Sequence, residues 1–157
     1  MNWTAETRFG AAWVMLAGAL AAHVTDEALT GFLSVYNPAV LAIRERIPWS
    51  PLPTFTFEVW IVELAALVAL LFLLSPFAFR GARWLSLLAI PFSVLMVGNG
   101  LGHVGASILW RQWMPGVYSS PVLIVTASFV LIYAVRVRRK KPEGAEPVAT
   151  DNPVAAR

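Results

Sequence analysis

Three stretches of this chain are long and apolar enough to cross a bilayer: Phe55 to Phe79, Ala82 to Leu109 and, at the short limit, Ser119 to Val135. About 20 apolar residues cover ~30 Å of hydrocarbon, where every backbone polar group must find its partner inside the chain. Helices are the answer for runs of this kind. A fourth apolar segment begins at Phe9 and is interrupted at His23, yet its character resumes through Ala28, Leu29, Phe32 and Leu33. The expectation is one helix from about Arg8 to Val35 carrying a polar insertion.

The rival for this first segment is a secretory signal peptide, since Ala19-Leu20-Ala21 offers small residues where a signal peptidase would cut. Its flank argues against that reading, because Glu6 balances Arg8 ahead of the apolar run. With 58% hydrophobic and 13% charged residues the whole chain is too apolar for an ordinary soluble domain. The expected fold is all-α, an integral membrane bundle of four antiparallel transmembrane helices filling residues 1–138. No internal repeat is evident.

The net charge of +3 is concentrated in the block RVRRKK, residues 136 to 141. Arg8, Arg80 and Arg83 fall on the same side as this block, against Arg44, Arg46 and Arg111 opposite, so the positive-inside rule predicts a multi-pass cell-membrane protein with both termini cytoplasmic. Basic residues at a membrane flank give no reason to expect nucleic acid as a partner. The predicted partners are membrane lipids. Residues 36 to 54 form the first outer loop, where the prolines of IPWSPLP forbid a regular helix. Residues 139–157, basic and then rich in Pro, Ala and acids, read as a disordered cytoplasmic tail.

There is no cysteine, so disulfides, iron–sulfur clusters and thiolate nucleophiles are excluded. Chemistry must come from His, carboxylates, Asn or hydroxyls. His23, Asp26 and Glu27 stand at i, i+3 and i+4, and Asn99 and His103 at i and i+4, so each set leaves one face of its helix. At about 1.5 Å per residue from Arg8 and Arg83, both patches fall at roughly 22–30 Å. Glu63 lies at roughly 25 Å from Arg80, whereas Glu58, at roughly 33 Å, belongs near the outer surface. Ionisable groups at this depth cost on the order of 3 kcal/mol each at the helix centre and need partners. Gathered at one level on three helices, they predict a site, with Gly98, Gly100, Gly102 and Gly105 allowing close helix approach around it.

Imidazoles and carboxylates together match the ligands of zinc or iron. The same groups could instead form a polar network that only fixes helix register, or a proton relay in a small transporter. The segments HVTDE, NGLGH and WMPGVYSSP resemble the HXXEE family of multi-span membrane proteins, named for a His-x-x-Glu-Glu motif. The resemblance covers roughly residues 10 to 135. It places the motif on His23, Asp26 and Glu27 and a characteristic Asn/His pair on Asn99 and His103, and it implies an enzyme of unassigned reaction. The chain departs from the motif at Asp26, whose shorter side chain would need a closer approach to ligate directly or would act from behind a ligand.

The resulting expectation is a membrane-embedded, metal-dependent enzyme opening toward the outer leaflet. His23, Glu27 and His103 are the main expected ligands of a divalent metal, zinc or iron. Asp26 and Glu63 serve as further ligands or general base, and Asn99 donates a hydrogen bond to substrate or bound water. Zinc would give hydrolysis and a carboxylate-rich pair of irons oxidation, and location suggests a lipid-like substrate. Trp49, Trp60, Trp84, Trp110 and Trp113 read as interfacial anchors, and Pro76 and Pro91 as helix ends or kinks. Pro115-Gly116 reads as a turn, with Tyr118, Ser119 or Ser120 above the polar layer, chiefly as caps.

Overall fold

A computed structural model describes residues 3 to 139. The chain forms helices α1 (Ala5–Thr30), α2 (Leu33–Arg46), α3 (Phe57–Leu73), α4 (Ser75–Phe79), α5 (Arg83–Trp110) and α6 (Ser120–Arg139), with no strand among the described residues. Four helical segments are long and apolar enough to cross a membrane: Ala5–Thr30, Phe57–Phe79, Arg83–Trp110 and Ser120–Arg139. Their ends fall close to the expected ones except in the first. The expected tail beyond residue 139 lies outside the described residues.

The single helix expected from Arg8 to Val35 is broken. Gly31 adopts φ +78°, a left-handed conformation that ends α1, and its backbone N–H returns to the Glu27 carbonyl. The chain then restarts as α2, which occupies much of what was expected to be an irregular outer loop. The following segment, residues 47 to 56, is non-helical as its prolines require. Asn37 ties the two together: its side-chain amide donates to the Phe55 carbonyl at 2.9 Å, and the Phe55 N–H donates to its Oδ1 at 3.1 Å. Thr56 then caps α3 by accepting from the Val59 N–H. Pro76 lies in the first turn of α4 and separates it from α3, whereas α5 runs unbroken through Pro91.

α1 is the centre of the assembly. It packs against α6, α4 and α3, while α6 also packs along α5. α3 and α5 share no comparable interface, so a cleft stays open between them. The core is a seam of small and large apolar residues, with Phe9, Leu16, Ala17, Leu85, Ala89, Leu123, Ala127 and Val130 all at 1% exposure or less. Inside it the Trp13 indole N–H donates to the Leu71 carbonyl at 2.8 Å, joining α1 to the end of α3. Of the four glycines around Asn99, only Gly100 lies at a tight contact, against Ile124 and the Ser120 carbonyl of α6. The other three face open space.

Two ends can be told apart by contact. At one, Gly81 in the turn after α4 packs against Glu6 and Val137, bringing together the start of α1 and the end of α6. At the other, the segment after α5 folds over His23, Glu27 and His103. Between them the outward faces are apolar: Val62, Leu70 and Leu73 of α3, Leu88, Leu95 and Leu109 of α5, and Val122 and Phe129 of α6 are all exposed. α3 buries only Trp60 and Leu71.

Candidate metal centre

His23 and Glu27 project from the last two turns of α1 and His103 from the last two of α5. The α-helical repeat places residues four apart one above the other, so His23 and Glu27 share a face without any help from the rest of the fold. The contacts that both α1 and α5 make with α6 bring His103 opposite them. His103 Nε2 lies 3.1 Å from Glu27 Oε1, and His23 Nε2 lies 3.6 Å from the same oxygen. The two imidazoles meet edge to face with centroids 5.0 Å apart. One donor atom from each of the three residues falls within 4.8 Å of the others. His23 is 1% and Glu27 5% exposed.

The orientation of His23 follows from its neighbours. The Ser119 hydroxyl donates to Asp26 Oδ2 at 2.8 Å, and the Ser119 backbone N–H donates to the same oxygen at 2.9 Å. With its only hydrogen directed to a carboxylate, the Ser119 oxygen can take part in the 2.8 Å contact with His23 Nδ1 only as acceptor. Nδ1 of His23 therefore carries the proton, and in the neutral ring Nε2 presents a lone pair to the site. That lone pair accepts from the Asn99 amide at 3.1 Å.

The His23 Nε2 lone pair and the Glu27 carboxylate lie side by side in a largely buried pocket, a donor pair of the kind a divalent cation accepts. Bonds of about 2.0–2.2 Å to a tetrahedral ion put its ligands about 3.3–3.6 Å apart. Of the two separations from Glu27 Oε1, 3.6 Å lies at the upper end of that range and 3.1 Å just below it. The donor chemistry and spacing thus fit one divalent ion held by two imidazoles and a carboxylate.

Gly116 closes the site from the outer end. It has φ +80°, and a Cβ placed on it would lie 3.0 Å from each of Glu27 Cγ, His103 Cε1 and His23 Cε1. Only a residue without a side chain lets the loop rest directly on these three side chains. The same turn fixes the loop's far side, since the Ser120 hydroxyl donates to the Gly116 carbonyl at 2.7 Å. Met114 and Val117 flank it and are buried.

With the top covered, space remains on two flanks. A cavity of about 250 Å³ opens between α1, α3 and α5, reaching His23, Glu27 and Asn99 past Trp60, Leu64 and Leu67. A second, of about 410 Å³, runs between α2 and α5 to Asn99 and His103. Phe32 borders both and stacks near His103 with ring centroids 5.8 Å apart.

Of the residues expected to form the site, His23, Glu27, Asn99 and His103 are brought together. Asp26 stands beside the cluster rather than in it: its carboxylate accepts from Ser119, whose hydroxyl in turn contacts His23. Glu63 is exposed on the flank of α3 and does not join the cluster. Glu58 is exposed in the first turn of that helix, where a carboxylate favours the positive end of the helix dipole. Trp60, expected as an anchor, is 5% exposed and stacks on Phe32 at 5.9 Å. The other four tryptophans of that group are exposed. Tyr118 is exposed and stacks on Trp113.

The residues that sequence reasoning undervalued are Ser119 and Gly116. The signal for Gly116 was its place in Pro115-Gly116, read only as a turn. Ser119 carried no signal that set it above Tyr118 or Ser120.

The family model described as a protein of unknown function with HXXEE motif matches residues 10–131. The chain belongs to the HXXEE family. Neither a curated protein nor a solved structure matches it. Within the HXXEE motif of this chain, His23 and Glu27 stand in the cluster itself. Asp26, where the motif has its first glutamate, is the residue that holds Ser119 against His23. The matched span also takes in Asn99, His103, Gly116 and Ser119.

Proposed function

We propose that this HXXEE protein is a membrane-embedded, metal-dependent enzyme, with His23, Glu27 and His103 holding one divalent ion. The observation that carries this reading is the convergence of the three donor atoms within 4.8 Å at the meeting point of two largely apolar clefts. Four apolar helices with wide outward-facing apolar surfaces support insertion as an antiparallel bundle. A single carboxylate among the ligands supports one ion rather than a pair of irons.

A divalent ion at this position supplies Lewis acidity and activates water, which suits hydrolysis by zinc; one ferrous ion accepts the same donors. The chain's own groups divide the remaining work. Asp26, through Ser119, keeps His23 in the tautomer that offers Nε2 inward, as supporting partners of metal-bound histidines do. The Nε2 lone pair can serve the Asn99 amide or an ion, not both, so with an ion held by His23 the amide would be available to donate to a substrate oxygen. The second Glu27 oxygen would be left to accept a proton. Gly116 and the buried residues beside it exclude water from above, and the flanking clefts admit a lipid-like substrate sideways.

Elemental analysis of the purified protein tests the proposal. One zinc or iron per chain is expected, removed by a chelator and restored by titration. Ser119→Ala leaves the three ligands in place but removes the acceptor for His23 Nδ1, and it should weaken metal affinity roughly 10–100-fold. Isothermal titration of the metal-free forms measures it, and equal affinity would remove Ser119 from the site's support. Protein that purifies and titrates without metal would leave a proton relay or a polar lock between helices as the function of the cluster.

We also propose that both termini face the cytoplasm, on the strength of the arginine distribution. In this cysteine-free chain Ser50→Cys should react with an impermeant thiol reagent in intact cells and Glu143→Cys should not. The reverse pattern would invert the topology and open the site toward the cytoplasm.

A further inference from the structure

At the end of the molecule away from the metal centre, α1 and α6 enclose a groove with a sharp division of chemistry along its length. Its outer part, about 160 Å³, is lined by Trp3, Ala5, Arg8, Tyr133 and Arg136. Trp3, Arg8 and Tyr133 also border a larger cavity of about 390 Å³ that continues past Ala11, Met15 and Phe129. Arg8 to Met15 is about two turns of helix, so the trough continues for about 10 Å beyond the arginine.

Neither Arg8 nor Arg136 is ion-paired among the described residues, and both are exposed. The Arg136 guanidinium lies over the Tyr133 ring, 5.4 Å from its centroid. Stacking restrains the plane of the guanidinium and leaves its N–H edge free, the edge that binds phosphate oxygens in pairs. Trp3, half exposed at the rim, presents a large amphipathic ring where an apolar phase meets water.

From this arrangement we infer a binding site for an anionic phospholipid: Arg8 and Arg136 take the phosphate, and the trough along Ala11, Met15 and Phe129 takes the first part of an acyl chain. Charge complementarity alone would suit any phosphate. The apolar trough, continuous with the cationic part, selects a phosphate joined to a hydrocarbon chain. The membrane leaflet at this end of the helices supplies that ligand. The site is independent of the metal centre, which lies at the opposite ends of α1 and α5.

Native mass spectrometry of the full chain released from micelles with phosphatidylglycerol or phosphatidylcholine tests the inference. Phosphatidylglycerol should be retained about tenfold or more over phosphatidylcholine. Arg8→Gln together with Arg136→Gln should lower its retention roughly a hundredfold, about tenfold for each charged hydrogen-bonding partner lost. Ala11→Phe fills the trough and should weaken phosphatidylglycerol retention with both arginines intact. Should the double variant or Ala11→Phe fail to keep the helical circular dichroism of the parent, Arg136→Gln alone, at an exposed position, decides the case. Equal retention of the two lipids, or retention unaffected by the arginine substitutions, would overturn the site. Displacement of phosphatidylglycerol by inorganic phosphate, with Ala11→Phe having no effect, would make it a free-phosphate site instead.

Discussion

Glu27→Gln is expected to abolish metal binding while leaving the helices intact. The substitution keeps volume and helix propensity nearly constant but removes the carboxylate that both imidazoles approach, at 3.1 and 3.6 Å. Supporting partners of metal ligands are worth 10–100-fold in affinity, so the anionic ligand itself should be worth more than about a hundredfold. A thermal shift makes this visible. Metal at a hundred times its dissociation constant stabilises a folded protein by about 2.7 kcal/mol, and Glu27→Gln should lose nearly all of that gain. Glu58→Gln and Glu63→Gln serve as matched controls on exposed positions of α3 and should keep metal and thermal shift unchanged. Full metal content in Glu27→Gln would refute the centre, and loss confined to Glu63→Gln would move it to the outer flank of α3.

Gly116→Ala should damage both stability and the site although it adds one methyl group. A left-handed conformation costs an L-residue about 1–2 kcal/mol, and this methyl also meets carbon atoms of Glu27, His103 and His23 at 3.0 Å each. Those three side chains are hemmed in by one another, so the loop must lift. A total loss of about 2–4 kcal/mol is expected, or roughly 4–8 °C or more in apparent melting temperature, with weaker metal binding. Gly98→Ala is the informative companion. Gly98 lies within α5 with nothing within 4 Å of the added atom, and alanine there should be neutral or stabilising by about 0.5–1 kcal/mol. If Gly116→Ala behaves like Gly98→Ala, the loop does not rest on the ligands.

The long apolar helices were legible because hydrocarbon thickness sets the length of apolar run to look for, and the observed ends of α3–α4, α5 and α6 lie close to those expected. The pairing of His23 with Glu27 and of Asn99 with His103 was legible because the α-helical repeat alone puts residues four apart on one face. Depth counted from Arg8 and Arg83 put the two patches level, and they meet. The break at Gly31 was less visible. A glycine after a polar stretch ends a helix only when the following chain has somewhere to go, and here it turns into α2 beside the site.

Glu63 shows where such reasoning stops. α3 is apolar on nearly every face, so no polar stripe reveals which side it turns inward. Its rotation is decided by packing on α1, which buries Trp60 and leaves Glu63 outside. Depth was read from a length, whereas facing depends on contacts with another helix. The same limit applies to Asp26. The helical repeat places it near His23, but Ser119, far along the chain, donates to its carboxylate, which no helical spacing reveals.

What the sequence determined by itself was therefore periodic and local: which segments are helices, and which polar residues share a face and a level. Only the tertiary structure decided which faces look at one another, that Gly116 lies against His23, Glu27 and His103, and that α3 and α5 stand apart to leave a cleft. Those features depend on helix rotation and on a loop returning over the helix ends, and both are fixed by packing between segments remote in the chain.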